Sequence, residues 1–321
     1  MEKKMSSKKA NWAFLITIIG YIALLCAISF WVPSISESLF WSNFLCEIVV
    51  ILPVLIFVIV SKEKLTDFLG FHKIKPGSVL MIVLFTFLSN PLIMLLNLFS
   101  QYWVDNEVAM MIENMNFAQL PVGMLFLSMA IIAPIFEEIT CRGAFYHSYK
   151  KSGSVFKAMI LSAIIFAVVH MNFNQAAYAF AMGIMAVLLV EATGSIWSSI
   201  LYHALINGSQ VILMSSTLKA DPEIYSEAAS MVTNDFLTFA VAIYLILTAV
   251  TLPLAWAVLV WLGGHEGRVG VLSDIWKKRK EKKDKMVTVP FVLALILCIS
   301  VMTGAFDWLL AQIWTMIAFS F

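Results

Sequence analysis

Charge is what this sequence has least of. Only 13% of its 321 residues are Asp, Glu, Lys or Arg, while 61% are hydrophobic; soluble domains carry about 25% charged residues. That shortage excludes an ordinary soluble domain and identifies a membrane protein. Net charge is equally small, because 21 basic residues face 20 acidic ones for a formal +1, so no nucleic-acid partner and no general attraction to acidic partners is expected. Cysteine is sparse and scattered. Cys26, Cys46, Cys141 and Cys298 form no CxxC pair and lie in or beside apolar runs, which argues against a disulfide framework and against a thiolate zinc site. An HExxH helix, the best-known zinc protease pattern, is also missing, as are internal repeats and low-complexity segments.

Long apolar runs are abundant instead. A helix needs roughly 20 apolar residues to cross the hydrocarbon core, and the polar breaks mark runs at Trp12–Val32, Asn43–Val60, Val79–Phe99, Val122–Ser148, Val155–Met171, Gln175–Val190, Ile196–Ser215 and Phe236–Leu262, with another from Val287. The expected fold is therefore all-α, a polytopic bundle of 8 or 9 transmembrane helices. The first run follows Lys3, Lys4, Lys8 and Lys9 as a signal peptide would, but it is long enough to span and lacks a small-x-small cleavage site, so it reads as a retained helix. The apolar tail 305–321 either continues the last helix or turns along the surface.

The basic residues test this layout, since cytoplasmic loops hold the excess of Lys and Arg. With alternate crossings, all of them except Lys219 and Arg142 fall on one side: the N-terminal tail, the segment Lys62 to Lys75, the turn around Lys150, and Arg268 to Lys285. The opposite loops carry Asp105, Glu107, Glu113, Asp221, Glu223, Glu227 and Asp235. The N-terminus is accordingly expected in the cytoplasm of a cell, with the chain multi-pass in the cell membrane and bacterial in character. The run 276–285 is either a topology signal or a contact for anionic lipid heads. Leu65, Phe68, Leu69 and Phe71 alternate with polar residues and are expected to lie flat in the interface.

Ionisable side chains inside a bilayer cost roughly 2.5 to 3.5 kcal/mol each on insertion scales and are functional candidates by default. Here they are Glu47, Glu137, Glu138, Arg142, His170 and His203, with Glu191 and Asp307 near helix ends. Glu138 and Arg142, four apart, share a helix face and can pair. Glu137 is turned by about 100° from Glu138, so it can face a cavity while its neighbour serves structure. Pro134 removes a backbone hydrogen bond and is expected to open the helix beside them. Phe166 and His170 are four apart, as are His203 and Asn207. A carboxylate, two imidazoles and an amide on helices four, five and seven can converge on one locus. Glu137 and one His would then activate water, while His203 and Asn207 would donate to a developing oxyanion. Each signal also has a structural explanation, an interhelical hydrogen bond for the histidines and an ion-pair network or proton relay for the Glu-Glu-x-x-x-Arg helix.

Glu137-Glu138-x-x-x-Arg142, Phe166-x-x-x-His170 and His203-x-x-x-Asn207, in this order, resemble the three motifs of the CAAX protease and bacteriocin-processing (CPBP, or Abi) family of intramembrane proteases. The flanking Arg142-Gly143 and Thr193-Gly194-Ser195-Ile196-Trp197 resemble that family as well, and the likeness runs from Pro121 to Gly208. The resemblance implies an intramembrane endopeptidase acting on a membrane-associated peptide or protein. In it Glu137 and His170 activate water, His203 and Asn207 stabilise the oxyanion, and Glu138, Arg142 and Phe166 are supporting residues. It divides the chain into three N-terminal helices (1–120), a catalytic core (121–216) and C-terminal helices with a polybasic loop (217–321). No cofactor is expected, because the family's eukaryotic members favour direct activation of water. Zinc on Glu137, His170 and His203 is the alternative, since two His and a Glu suffice with water in the fourth position. A non-catalytic bacteriocin-immunity or transport protein could use the same residues for binding or structure.

One geometric difficulty stands in the way of convergence. Glu137 and His170 lie 15 and 18 residues from the turn near Ser152, a depth of roughly 22 to 27 Å at 1.5 Å per residue. His203 is only 8 residues from Ser195, or about 12 Å. Either the turn between helices six and seven is recessed, or helices are tilted or broken.

Overall fold

The computed structural model describes residues 6–32, 35, 38–61, 66, 69–106, 122–220, 233–281 and 285–318. These residues build eleven helices and no β-sheet: α1 (Ser7–Trp31), α2 (Leu39–Ser61), α3 (Pro76–Ser100), α4 (Val122–Ser152), α5 (Val155–Val168), α6 (Phe173–Thr193), α7 (Ile196–Ala220), α8 (Asn234–His265), α9 (Val271–Lys277), α10 (Val289–Met302) and α11 (Ala305–Ala318). The all-α expectation holds. Five of them, α1, α3, α4, α6 and α8, are long and apolar enough to cross a membrane, and α10 with α11 makes a bent sixth candidate. The other expected spans differ for physical reasons. The fifth helix stops at Val168, so its 14 residues reach only about 21 Å, and His170 sits in the turn beyond it. Helix α7 carries Ser198, Ser199, His203 and Asn207, polar residues that belong to protein contacts rather than to lipid. The tail turns by 82° at Gly304 instead of continuing α10.

Helix α4 is not uniformly α-helical. Wider π turns occupy Phe126–Ile132 and Ile139–Tyr146, on either side of an α-helical stretch Ala133–Glu138 whose first turn holds Pro134. Proline's missing N–H and its ring both disfavour a regular helix interior, and π turns absorb such breaks, frequently at functional sites. Around α4 the packing is close. Helix α7 lies against the first π turn, α2 against Ala133–Glu138, and α5 against the second π turn and α6. Gly183 permits the approach of α5 to α6, because a Cβ there would stand 2.8 Å from the Ala163 backbone.

The segments assigned to one side by their lysines meet at one end of the bundle. Ser7 Oγ donates to the Lys285 carbonyl at 3.1 Å, Asn11 Nδ2 to the Met286 carbonyl at 2.9 Å, and Ser154 Oγ to the Arg279 carbonyl at 3.0 Å. Asn174 on Asn97 and Tyr102 on Thr238 tie the opposite end. Leu69 does not lie flat in an interface. It is 1% exposed and packs on Gly143, while Phe71 meets Trp197 edge to face. Leu65, Phe68, the loop around Glu107 and Glu113, and Asp221, Glu223 and Glu227 fall outside the described residues.

Candidate active site

The turn between α6 and α7 settles the depth problem. Gly194 closes α6 in the left-handed region, φ 75°, which glycine adopts without a Cβ penalty. Ser195 is fully buried, and its Oγ bonds the His72 carbonyl. The Ile196 N–H donates to the Gly70 carbonyl at 3.0 Å. The turn is therefore recessed beneath the segment that precedes α3, and His203 starts from a deeper origin than a surface turn would give it. From above, Arg268 Nε donates to the Glu191 carbonyl at 2.7 Å.

Two adjacent carboxylates on α4 then meet different surroundings. Glu138, 1% exposed, accepts from Arg142 Nη1 at 2.9 Å and lies 3.1 Å from His203 Nδ1. An ionised carboxylate only accepts, so the His203 proton belongs on Nδ1 and Nε2 is turned away from Glu138. Arg142, fully buried, stacks on the Phe166 ring with its guanidinium carbon 4.2 Å from the centroid. That cation–π contact offsets part of the cost of a desolvated cation. Phe166 organises both imidazoles too. The His170 and His203 rings stand edge-on to it at 5.1 and 5.5 Å.

Oε2 of each glutamate is buried without a hydrogen-bond partner. What sets Glu137 apart is its company: its Oε2 faces His203 Nε2 at 3.8 Å, and among the described residues it pairs with no arginine. Glu47, 6% exposed on α2, approaches it carboxyl to carboxyl. Glu47 thus meets Glu137, a contact between α2 and α4 that spacing along one chain segment does not reveal. The only hint in the sequence is that Glu47 is an acid inside an apolar run. His170 Nδ1 lies 2.7 Å from the Phe166 carbonyl. A carbonyl oxygen only accepts, so the neutral ring carries its proton on Nδ1 and keeps a basic Nε2. Asn207 Nδ2 donates to the Met129 carbonyl at 2.9 Å, joining α7 to the first π turn. The structure therefore brings Glu137, Glu138, Arg142, Phe166 and His203 together directly. His170 joins them through Phe166, and Asn207 joins α4 one face away.

The donor types of Glu137, His170 and His203 suit zinc. Among the described residues, however, no three His, Cys, Asp or Glu side chains converge as a ligand set. The four cysteines are free thiols. Sequence reasoning also gave no role to a second buried cluster, in which Glu191 accepts from Tyr146 Oη at 2.8 Å and from Lys150.

Comparisons with known proteins fall on this same region. Residues 119–209 match the family described as Rce1-like, type II CAAX prenyl endopeptidase Rce1-like. Over 92 residues the chain is 29% identical to a Bacillus subtilis (strain 168) protein named "Putative membrane peptidase YdiL", covering 29% of this chain and 38% of that protein. No solved structure matches. The matched segment holds every residue of the Glu137–Asn207 constellation, and these matches support, over that segment, the resemblance to the CAAX protease and bacteriocin-processing family.

Proposed function

We propose that the protein is an intramembrane endopeptidase that hydrolyses a peptide bond in a membrane-associated peptide or protein. Glu137 is the general base on water, with the basic Nε2 of His170 as its partner. In its imidazolium form His203, whose Nδ1–H is held by Glu138, donates its Nε2–H, together with the Asn207 amide, to the oxyanion that forms on the scissile carbonyl. Glu138 and Arg142 hold His203 and Phe166 in register. The observation that carries this reading is the different company of the two glutamates: Glu138 Oε1 takes Arg142 at 2.9 Å and His203 at 3.1 Å, while Glu137 faces Glu47 and, at 3.8 Å, the His203 imidazole; each keeps an Oε2 without a hydrogen-bond partner. Positioned acid–base groups of this kind contribute typically 10²–10⁴-fold each.

The reading extends to topology and surroundings. It takes the chain as a bacterial plasma-membrane protein with 8 or 9 crossings, the short α5 and the polar α7 included, and with the N-terminus in the cytoplasm. Support comes from the meeting of Ser7, Ser152, Arg279 and Lys285 at one end. The segment 276–285 meets anionic lipid heads there, where Arg279 stacks on Trp276 at 4.1 Å. An unmodified peptide with an amphipathic leader suits the site better than a prenylated one, because nothing in the chain marks a prenyl group.

The test compares membrane and secreted peptides by mass spectrometry from cells carrying wild type or Glu137→Ala at matched protein levels. Loss of a cleaved peptide in the mutant gives the substrate, its scissile bond and any lipid attached to it. Identical peptides, with any bacteriocin resistance intact, would overturn the protease reading in favour of a binding role in immunity or transport.

A further inference from the structure

Asn207 points its amide at an acceptor that a regular helix would not offer. Within the first π turn, hydrogen bonds run from each N–H to the carbonyl five residues back, and the Ala133 N–H accordingly reaches the Ser128 carbonyl. The next rung would run from residue 134 to the Met129 carbonyl. Residue 134 is proline and has no N–H. Pro134 is buried, in a part of α4 where neighbouring protein rather than water surrounds the backbone. The Met129 carbonyl is met instead by Asn207 Nδ2 at 2.9 Å.

We infer that Pro134 is a positioning residue for Asn207: by withholding its own N–H it leaves the Met129 carbonyl open, and that carbonyl fixes the plane of the Asn207 amide. The inference deepens the proposed function and rests on it for its catalytic meaning. One Nδ2 proton is spent on Met129. The second, in the same fixed plane, is the one available to an oxyanion. Proline three residues before the base thus does more than loosen the helix; it couples the rotation of α4, which carries Glu137, to the side chain of α7 that must face the same substrate atom.

A double-mutant cycle tests the coupling without needing any activity. The thermal unfolding midpoint of the full-length protein is measured in detergent for wild type, Pro134→Ala, Asn207→Leu and the double variant. In the wild-type background Asn207→Leu takes the donor from a part-buried carbonyl and lowers the midpoint by a few degrees. Alanine at 134 restores an N–H for Met129, so the same change then costs little. Equal losses in both backgrounds overturn the inference. If Pro134→Ala does not accumulate, Asn207→Leu alone still decides, because an unchanged midpoint would mean that the Met129 carbonyl does not depend on Asn207. Where the cleaved peptide is in hand, Pro134→Ala lowers kcat roughly ten- to a hundredfold with KM and stability unchanged. A coupled cycle in a protein that cleaves nothing would leave the clamp standing and remove the peptidase reading, so the two failures are distinct.

Discussion

Two glutamates inside the helical bundle meet opposite surroundings. Glu191, at the C-terminal end of α6, has Tyr146, Lys150 and Arg268 around its carboxylate, while Glu137, in the middle of α4, has another acid and an imidazole, and one oxygen with no partner. An acid surrounded by cations and a hydroxyl holds a turn in place. One that faces another acid is held at a cost, which a fold tolerates where chemistry uses it. Glu138 sides with Glu191, since its Oε1 takes Arg142 and His203, although its Oε2, like that of Glu137, has no partner. Adjacent residues on one helix are thus turned toward different partners by about 100° of rotation.

The comparison can be broken from either side, and the largest effect belongs to the reactive acid. Glu137→Gln, which keeps volume and removes the base, should lower cleavage of the native peptide by at least about a hundredfold, read as product per folded molecule. Arg142→Ala should mainly unfold the site. It leaves Glu138 buried without its guanidinium partner, a loss of about 3–5 kcal/mol measurable as a shifted unfolding curve in detergent. Glu191→Ala strips the buried Tyr146 hydroxyl of its acceptor and should cost about 1–3 kcal/mol. Lys150 adds little because it is one-third exposed. Smallest is Gly194→Ala, where a Cβ at φ 75° and 3.1 Å from Arg268 should cost about 1–2 kcal/mol. Limited proteolysis at the α6–α7 turn should register it.

Local spacing made part of the site legible. Glu138 with Arg142 is a four-residue relation that a helix enforces, and the break at Pro134 follows from proline's missing donor; His170 keeps its contact with Phe166 from the turn beyond α5. The basic-residue pattern foretold which loops meet at one end. What spacing could not carry is the third dimension. The pairing of Glu47 with Glu137, the recessed Ser195 turn under Gly70 and His72, and the burial of Leu69 all depend on segments more than 70 residues apart in the chain. A 3.6-residue period likewise could not anticipate that α5 ends at Val168, with Met171 at φ 50°, because the apolar run continues through that turn.

The central claim, that Glu137 is the reactive acid and its paired counterparts are structural, is tested most directly by measuring cleavage per folded molecule and unfolding midpoint together for Glu137→Gln and Glu191→Gln. The account predicts that Glu137→Gln abolishes cleavage with an unchanged or higher midpoint, whereas Glu191→Gln lowers the midpoint and leaves cleavage by the remaining folded protein intact. Cleavage surviving in Glu137→Gln, or lost only in proportion to its folded fraction, would contradict it.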